Sequence, residues 1–206
     1  MRYSLGQWVH LINNLPLWFF LRRAKTLLDV GCGVNSPVNY FVTKSQLLDG
    51  LDISTTDIAQ QRQTRYRQVL CGDIRTWHGT TTYDVITALD FIEHVTHDEG
   101  INILDKLEKM AHRVVIVTPN GYWPQAPTAN NPWQEHLSGW QTADFTSRGY
   151  KVYGMFGPQW LRADGAQLRY HPTWLWALIV WLLTPVWFWL PRTAFSLLAV
   201  YDRPSV

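Results

Sequence analysis

The chain has 206 residues and a mass of 24.0 kDa, a length that fits one domain spanning 1–206 and excludes two domains of ordinary size. Hydrophobic residues make up 47% of the sequence and charged residues 17%, which excludes a disordered chain. The formal net charge is only +2, so we expect no nucleic-acid partner.

The first 25 residues are predicted to form an N-terminal helical segment, 1–25. Its apolar part runs from Leu15 to Leu21 and is followed by three basic residues, Arg22, Arg23 and Lys25. Because no small-residue cleavage site accompanies this run, we interpret it as part of the mature protein and not as a secretory signal peptide.

Short β-rich segments then alternate with helical patterns, and this alternation predicts a parallel sheet covered by helices. The predicted strands span residues 26–30, 47–53, 66–71, 83–89, 113–118, 150–156 and 195–201. Between the fifth and sixth strands, residues 119–139 are rich in Pro, Asn and Trp. A loop of this length is typical of a lid or a binding loop.

Two helices have recognisable ends in the sequence. Thr96 and Glu99 form a capping box, which predicts a helix whose apolar face follows at 101, 104, 107 and 111. A shorter helix is predicted from a cap at Thr142 to Arg148, and Gly149 is expected to end it in the left-handed conformation.

The first predicted strand leads into a glycine turn, in the sequence TLLDVGCG at 26–33. Gly31 and Gly33 allow a sharp turn and a close approach of the backbone to a ligand, although an ordinary strand-to-helix turn uses the same residues. Asp52 closes the second strand, where an acidic side chain accepts hydrogen bonds from a nucleotide ribose. Dehydrogenases share this arrangement, so the turn and the acid together predict a nucleotide-type cofactor of either class.

Two further segments follow the third and fourth strands, CGDI at 71–74 and YDVITALDFIEHV at 83–95. With the turn and Asp52, they resemble the class I S-adenosylmethionine-dependent methyltransferases, in particular the small-molecule group with an acid-x-x-Glu-His sequence after strand 4, here Asp90 to His94. Segments 136–140 and 144–152 are similar to later parts of the same group. The resemblance implies an α/β, Rossmann-like seven-stranded mixed sheet of order 3-2-1-4-5-7-6, with the last strand antiparallel and helices on both faces. An apolar helical insertion separates strands 6 and 7.

The resemblance also implies which residues bind S-adenosyl-L-methionine. They follow the first four strands and surround successive parts of the cofactor. They are Asp29, Gly31, Gly33 and the carbonyl region of Ala88 for the methionine part, Asp52 for the ribose hydroxyls, Asp73 and Ile74 for the adenine, and Asp90 and Phe91 nearest the methyl group, with Cys32 and Ile53 alongside.

The turn departs from the family's common GxGxG form, because Asn35 stands at the third glycine position. Asn is the non-glycine residue that best tolerates the left-handed conformation, so we expect the turn to survive with Asn35 in that conformation. The helix after the turn is then expected to start around Pro37.

Three residues are candidates for a catalytic role: Glu93, His94 and His136. Methyl transfer from a sulfonium is an in-line displacement that needs no base, but a hydroxyl acceptor benefits from one, and a histidine can titrate near neutral pH. The alternative for each residue is a packing or helix-capping role. We expect no metal site, because a Glu-His pair does not supply three ligands.

The segment 172–192 contains five of the 12 tryptophans and no charged residue between 174 and 190. This run is shorter than the roughly 20 residues of a spanning helix, and Pro185 predicts a kink. A single crossing is also excluded if the flanking strands belong to one sheet. Peripheral membrane contact is the favoured interpretation; a dimer interface, a roof over the acceptor site and a buried helix pair are the alternatives.

The leading prediction is therefore an S-adenosylmethionine-dependent methyltransferase that acts on a small, hydrophobic or lipid-linked acceptor, with O-methylation favoured. Cys32 and Cys71 have neither disulfide nor zinc-ligand spacing, which favours the cytoplasm, or the inner face of the membrane if the insertion binds lipid. Two rival hypotheses are a catalytically inactive member of the fold that acts as a membrane-associated partner or scaffold, and a nucleotide-dependent oxidoreductase. The oligomeric state is left open.

Overall fold

The computed structural model describes residues 14–61, 65–79, 81–127, 131–163 and 167–204. Of the expected N-terminal helical segment, residues 1–13 lie outside these ranges, and a helix at Leu15–Leu21 falls within them. The strands are β1 (Thr26–Val30), β2 (Leu47–Asp52), β3 (Tyr66–Cys71), β4 (Tyr83–Leu89), β5 (Ala111–Pro119), β6 (Lys151–Pro158) and β7 (Ala194–Asp202). The α-helices are α1 (Leu15–Leu21), α2 (Val38–Phe41), α3 (Thr55–Gln60), α4 (His97–Met110), α5 (Thr142–Thr146), α6 (Thr173–Leu182) and α7 (Thr184–Phe188).

Across the described ranges, the seven strands form one sheet of order β3-β2-β1-β4-β5-β7-β6. Strands β1 to β5 pair in parallel, whereas β7 pairs antiparallel with both β5 and β6. The predicted strand order and the single antiparallel strand are therefore confirmed. This topology brings the carboxyl ends of β1 to β6 to the same edge of the sheet, where ligands bind in such folds.

The sheet is buried on both faces, because successive side chains of a strand point to opposite sides. Leu28 of β1 belongs to the core under α4 and α5, whereas the adjacent Leu27 belongs to the core under α1 and α2. The capping box of α4 is present as predicted, with the Thr96 hydroxyl accepting from the Glu99 N–H and the Glu99 carboxylate accepting from the Thr96 N–H.

Two local expectations were wrong. The cap of α5 is Gln141 and not Thr142, because the Asp144 carboxylate accepts from the Gln141 N–H, so the helix already includes Thr142; it also ends at Thr146 and not at Arg148. Asn35 does not adopt a left-handed backbone; the glycines of the turn do so themselves. Gly149 follows α5 with φ +86°, as expected.

Helices α6 and α7 form the insertion between β6 and β7, and we call residues 173–190, which include the two residues after α7, the apolar hairpin. They are separate helices because α6 ends at Leu182 and Pro185 falls in the first turn of α7. The hairpin presses on β6, where glycines leave room: a Cβ at Gly157 would lie 2.6 Å from Val180, and one at Gly154 would meet the Trp187 carbonyl. None of the helices in the described ranges is long and apolar enough to span a membrane.

Trp140 is fully buried between α4 and the segment that follows β4. Its indole N–H donates to the carbonyl of Ile92 and to the Ser138 hydroxyl, and its ring stacks on His97 at 4.5 Å. We expect Trp140→Ala to lower the free energy of unfolding by about 3–5 kcal/mol, because it opens a cavity and removes these bonds.

Urea denaturation measures this loss. Trp133→Ala is the matched control, since Trp133 is 47% exposed, and it should change the stability by no more than about 0.5 kcal/mol. Equal losses in the two variants would show that Trp140 does not anchor this part of the core.

Candidate functional site

A cavity of about 320 Å³ opens at the carboxyl edge of the sheet, over the ends of β1, β2 and β4. The volume lies within the range typical of small-molecule sites. Residues from four strand ends and from the 119–139 loop line it. From the predicted cofactor set, the lining residues are Gly31, Gly33, Asp52, Ile53, Asp73, Ile74, Asp90 and Phe91.

The glycine turn brings backbone directly against the cavity. Gly31 and Gly33 have φ of +69° and +47°, values that favour glycine. A Cβ on Gly31 would lie 2.5 Å from the Phe91 ring, so a larger residue would clash as well as strain the backbone. Only glycine therefore fits at position 31 of this turn.

Asp52 fixes this turn from the end of β2. One carboxylate oxygen accepts from the Gly33 N–H at 2.8 Å and the other accepts from the Ser54 N–H at 2.8 Å. Burial raises the pKa of Asp52, and the two backbone bonds partly oppose that shift. The carboxylate therefore lies at the cavity wall, already oriented by the backbone.

Three residues of the predicted cofactor set do not line the cavity. Asp29 lies beneath the turn, where it accepts from the Thr87 hydroxyl and the Tyr66 hydroxyl, each at 2.7 Å, and its burial raises its pKa. Cys32 is buried against β2, and Ala88 is buried inside β4. Asp29 therefore supports the turn through side-chain bonds instead of facing a ligand.

The end of β3 carries an ion pair that the sequence reasoning did not include. Asp73 pairs with Arg75 at 2.7 Å, and Arg75 also pairs with Glu99 at 2.7 Å. Partial burial disfavours ionisation of Asp73, but the bonds from Arg75 outweigh it and lower the pKa of Asp73. This wall of the cavity therefore places the ionised Asp73, which accepts hydrogen bonds, next to the apolar side chain of Ile74.

Asp90 has a strained backbone at the end of β4. Its φ is +48°, in a region that non-glycine residues seldom adopt and that is often found at functional sites. The side chain is open to the cavity, yet the surrounding protein removes much of its hydration and raises its pKa. The strained backbone at Asp90 thus coincides with the region expected to lie nearest the methyl group.

The three catalytic candidates come together next to Asp90. Glu93 is buried, and its carboxylate accepts from the Thr118 hydroxyl at 2.9 Å; burial, and then the charge of Asp90, raise its pKa. The His94 and His136 rings contact each other edge to face, 4.8 Å apart. His94 lines the cavity, whereas Glu93 and His136 lie behind it.

Both histidines bond a backbone carbonyl through the same ring nitrogen, Nδ1. The Nδ1 of His94 lies 3.0 Å from the Glu135 carbonyl oxygen, and the Nδ1 of His136 lies 2.6 Å from the Trp123 carbonyl oxygen. Because a carbonyl oxygen only accepts, each Nδ1 carries a proton, and in the neutral form of either imidazole the lone pair is on Nε2. Burial, and then the neighbouring His136, lower the pKa of His94, so its imidazole is neutral at pH 7.

The same three residues have the composition of a metal site. One oxygen of Glu93 and one nitrogen from each histidine lie within 4.8 Å of one another. Histidines that bind metals usually donate their other N–H to a carbonyl or carboxylate, as both do here. We expected no metal because only the Glu93–His94 pair is visible in the sequence, and the fold adds His136 from a distant loop.

Six residues of the 119–139 loop, between Asn131 and Leu137, line the cavity; residues 128–130 lie outside the described ranges. Asn131 donates to the Asp57 carboxylate at 2.6 Å, which joins the loop to α3. The backbone N–H groups of Leu137 and Ser138 donate to the Glu93 carbonyl at 2.8 and 3.1 Å. The loop therefore spans the cavity from α3 to the cluster of Glu93, His94 and His136. Asp57 and Asn131 were not among the predicted residues.

Comparison with protein families identifies the chain. Residues 2–155 match a family model described as a methyltransferase domain. The chain belongs to this methyltransferase-domain family. The match spans β1 to β5 and most of β6, and so includes every residue of the cavity wall described above.

Solved structures with similar folds include methyltransferases that act on different molecules. The methyltransferase domain of a bacterial Hen1, CtHen1-C, is 15% identical with a TM-score of 0.61, and the match covers 96% of this chain and all of that one. The plantazolicin methyltransferase BpumL, in complex with S-adenosylhomocysteine (SAH), is 14% identical with a TM-score of 0.58 and covers 97% of this chain and 84% of that one. Curated proteins give no match.

The protein is therefore an S-adenosylmethionine-dependent methyltransferase of class I, with S-adenosyl-L-methionine as its cofactor. The family and the strand order decide against the oxidoreductase. They also favour an active methyltransferase over the catalytically inactive scaffold. The residue roles within the cavity remain predictions.

Asp52 provides the sharpest test of cofactor placement. We expect Asp52→Ala to weaken SAH binding by about tenfold to a hundredfold, because a hydrogen bond to a charged group contributes roughly 1.5–3 kcal/mol. Isothermal titration calorimetry with SAH measures the change. Asp98→Ala is the control, since Asp98 is exposed on α4 outside the cavity, and unchanged affinity in a folded Asp52→Ala protein would contradict the predicted ribose contact.

Proposed function

We propose that the enzyme transfers the methyl group of S-adenosylmethionine to a hydroxyl oxygen of a small hydrophobic or lipid-linked acceptor. The observation that carries this proposal is the cluster of Glu93, His94 and His136 beside Asp90 and Phe91. A neutral imidazole with an available lone pair is the group that a hydroxyl acceptor needs and that other acceptors need less.

The proposed reaction is an in-line displacement at the methyl carbon. The acceptor hydroxyl gives its proton to the Nε2 of His94, and its oxygen forms a bond to the methyl carbon. The carbon–sulfur bond breaks, its electron pair stays on sulfur, and the products are the methyl ether and SAH. His136 positions His94 through the edge-to-face contact, and Glu93 in its ionised form stabilises the imidazolium that forms.

The geometry of the same cluster also favours a second mode of hydroxyl activation. Glu93, His94 and His136 would hold a divalent cation, which lowers the pKa of a bound hydroxyl by acting as a Lewis acid. In this mode the Nε2 atoms of both histidines would be the ligands, because the carbonyls of Glu135 and Trp123 hold the Nδ1 atoms and orient the rings.

Two features support a hydrophobic acceptor. The cavity near Asp90 is lined by the apolar side chains of Phe91, Val95 and Leu137. The exposed apolar hairpin offers peripheral contact with a membrane, from which a lipid-linked acceptor would be taken. In this proposal the enzyme works in the cytoplasm at the inner membrane face, without a nucleic-acid partner. One of the similar structures is the small RNA methyltransferase HEN1, so an RNA acceptor is an alternative outcome of acceptor screening.

Substitutions in the cluster should separate chemistry from cofactor binding. We expect His94→Ala to lower kcat at least about a hundredfold, since positioned general bases contribute roughly 10²–10⁴, with SAH affinity within about twofold of the original. The assay follows methyl transfer from labelled S-adenosylmethionine to quinone precursors, isoprenoid alcohols and lipid-linked sugars. His78→Ala is the control, because His78 is exposed and outside the cavity; full activity of His94→Ala on the acceptor would refute its role as a base.

Metal removal distinguishes the two modes of activation. If a cation is held by the cluster, EDTA should abolish methyl transfer, Mn²⁺ or Mg²⁺ should restore it, and the Glu93→Gln, His94→Ala and His136→Ala variants should each bind Mn²⁺ at least about tenfold more weakly. Activity that is unchanged after chelation would leave His94 as a base without metal. Electron paramagnetic resonance of bound Mn²⁺ reports on the site independently of turnover.

A further inference from the structure

The apolar hairpin exposes an unusual number of large hydrophobic side chains. Trp174, Trp181 and Trp189 are 68%, 48% and 72% exposed, and Leu182 is 60% exposed. An isolated exposed residue of this kind is common on soluble proteins, whereas a contiguous set indicates an interaction surface. The hairpin therefore carries apolar surface that packing against β6 does not bury.

Helix α1 exposes a second apolar strip. Leu17 and Leu21 are buried against the sheet, whereas Leu15, Trp18 and Phe19 point outward with exposures of 51%, 40% and 60%. The spacing follows a helix with one buried and one outward apolar side. An ordinary surface helix would have polar residues on that outward side.

The two strips lie on the same face of the sheet and are joined by a row of aromatic rings. The ring of Phe20 in α1 is 5.9 Å from Tyr153 of β6, and Tyr153 stacks on Phe188 of α7 at 4.5 Å. Tyr153 also contacts Trp189, 5.7 Å away. We call the outward side chains of these helices the docking face: Leu15, Trp18, Phe19, Trp174, Leu178, Trp181, Leu182, Val186, Trp189 and Leu190.

The chain segments 14–28 and 167–201, which carry the docking face, contain five Lys or Arg residues and no Asp or Glu. Asp202, which follows the second segment, is paired with Arg113. Arg22 lies over the Trp18 ring, with its guanidinium carbon 5.0 Å from the ring centre. The basic residues are all exposed: Arg22, Arg23, Lys25, Arg169 and Arg192.

We propose that α1 and the apolar hairpin together form one docking surface for an anionic lipid bilayer. Tryptophans favour the headgroup level, and basic residues nearby attract anionic lipids. A second copy of the chain fits less well, because the same face on both subunits would bring like charges together. The inference extends the proposed membrane contact to a second element and rests on the proposed function for the nature of the acceptor.

The position of the docking face suits transfer of an acceptor to the cavity. The Asn120 amide donates to the carbonyls of Pro191, Arg192 and Ala194, at 3.2, 3.2 and 2.9 Å. It thereby ties the end of the hairpin to the end of β5, where the loop over the cavity begins. An acceptor leaving the bilayer beside the hairpin would therefore meet the carboxyl edge of the sheet, which also holds the cavity.

Vesicle flotation of the full chain tests the two-element surface. Three double variants remove its parts: Trp18→Ser with Phe19→Ser, Trp181→Ser with Trp189→Ser, and Arg22→Glu with Arg23→Glu. We expect the intact protein to bind vesicles containing phosphatidylglycerol and to bind pure phosphatidylcholine vesicles at least about tenfold more weakly. Each double variant should bind the phosphatidylglycerol vesicles at least about tenfold more weakly than the intact protein does. Tyr122→Ser and Arg65→Glu, exposed residues outside the docking face, should bind as the intact protein does.

Calorimetry with SAH and light scattering complete the test, since SAH affinity should stay unchanged in every variant. If the α1 variants bind vesicles normally while the hairpin variant does not, the two-element surface is overturned and the hairpin contact stands. If the intact protein does not bind vesicles but still methylates an acceptor, the inference fails and the enzymatic proposal survives. A dimer without lipid that these substitutions dissociate would show instead that a second copy covers the face.

Discussion

The close approach of the Phe91 ring to Gly31 constrains the whole active edge of this enzyme. The turn after β1 has to pass under a side chain that follows β4, so both strand ends must be in register before the cavity exists. Asp29 holds the turn from below through Thr87 of β4, and Asp52 holds it from the side through the Gly33 N–H. Two buried acids therefore fix the ends of three parallel strands as one rigid wall of the cavity.

Both acids have a raised pKa because they are buried. An acid in this state costs stability when it is ionised, and its hydrogen bonds offset part of that cost. Such a cost is typical of sites that are shaped for a ligand, since the cofactor hydroxyls that we predict to meet Asp52 would supply bonds that the free protein lacks. The apparent stability of the protein is thus linked to occupancy by its cofactor.

The sequence predicted the sheet well because buried strands leave a strong local signal. β1, β3 and β4 begin and end at the predicted residues, and the other strands differ by one or two residues at their ends. The prediction of the α5 cap failed for a local reason, because the capping acid Asp144 lies three residues after Gln141 and therefore fits a cap at Gln141 and not at Thr142. The contact between His94 and His136 was hidden for a different reason, because 41 residues separate His94 from the Glu135 carbonyl that aligns its ring. The spacing of residues along the chain does not show which distant side chains come into contact in the fold.

The connection between β6 and β7 has a consequence for how acceptor choice can change. β7 runs antiparallel to both of its neighbours, so the chain leaves β6 and enters β7 at the same edge of the sheet. A segment inserted there adds surface beside the cavity without interrupting the strands that form the cavity wall. The family match ends at residue 155, before the hairpin. Exchanging this one connection between related enzymes would therefore be a direct way to redirect a common methyl donor toward new acceptors, leaving the chemistry at β1 and β4 untouched.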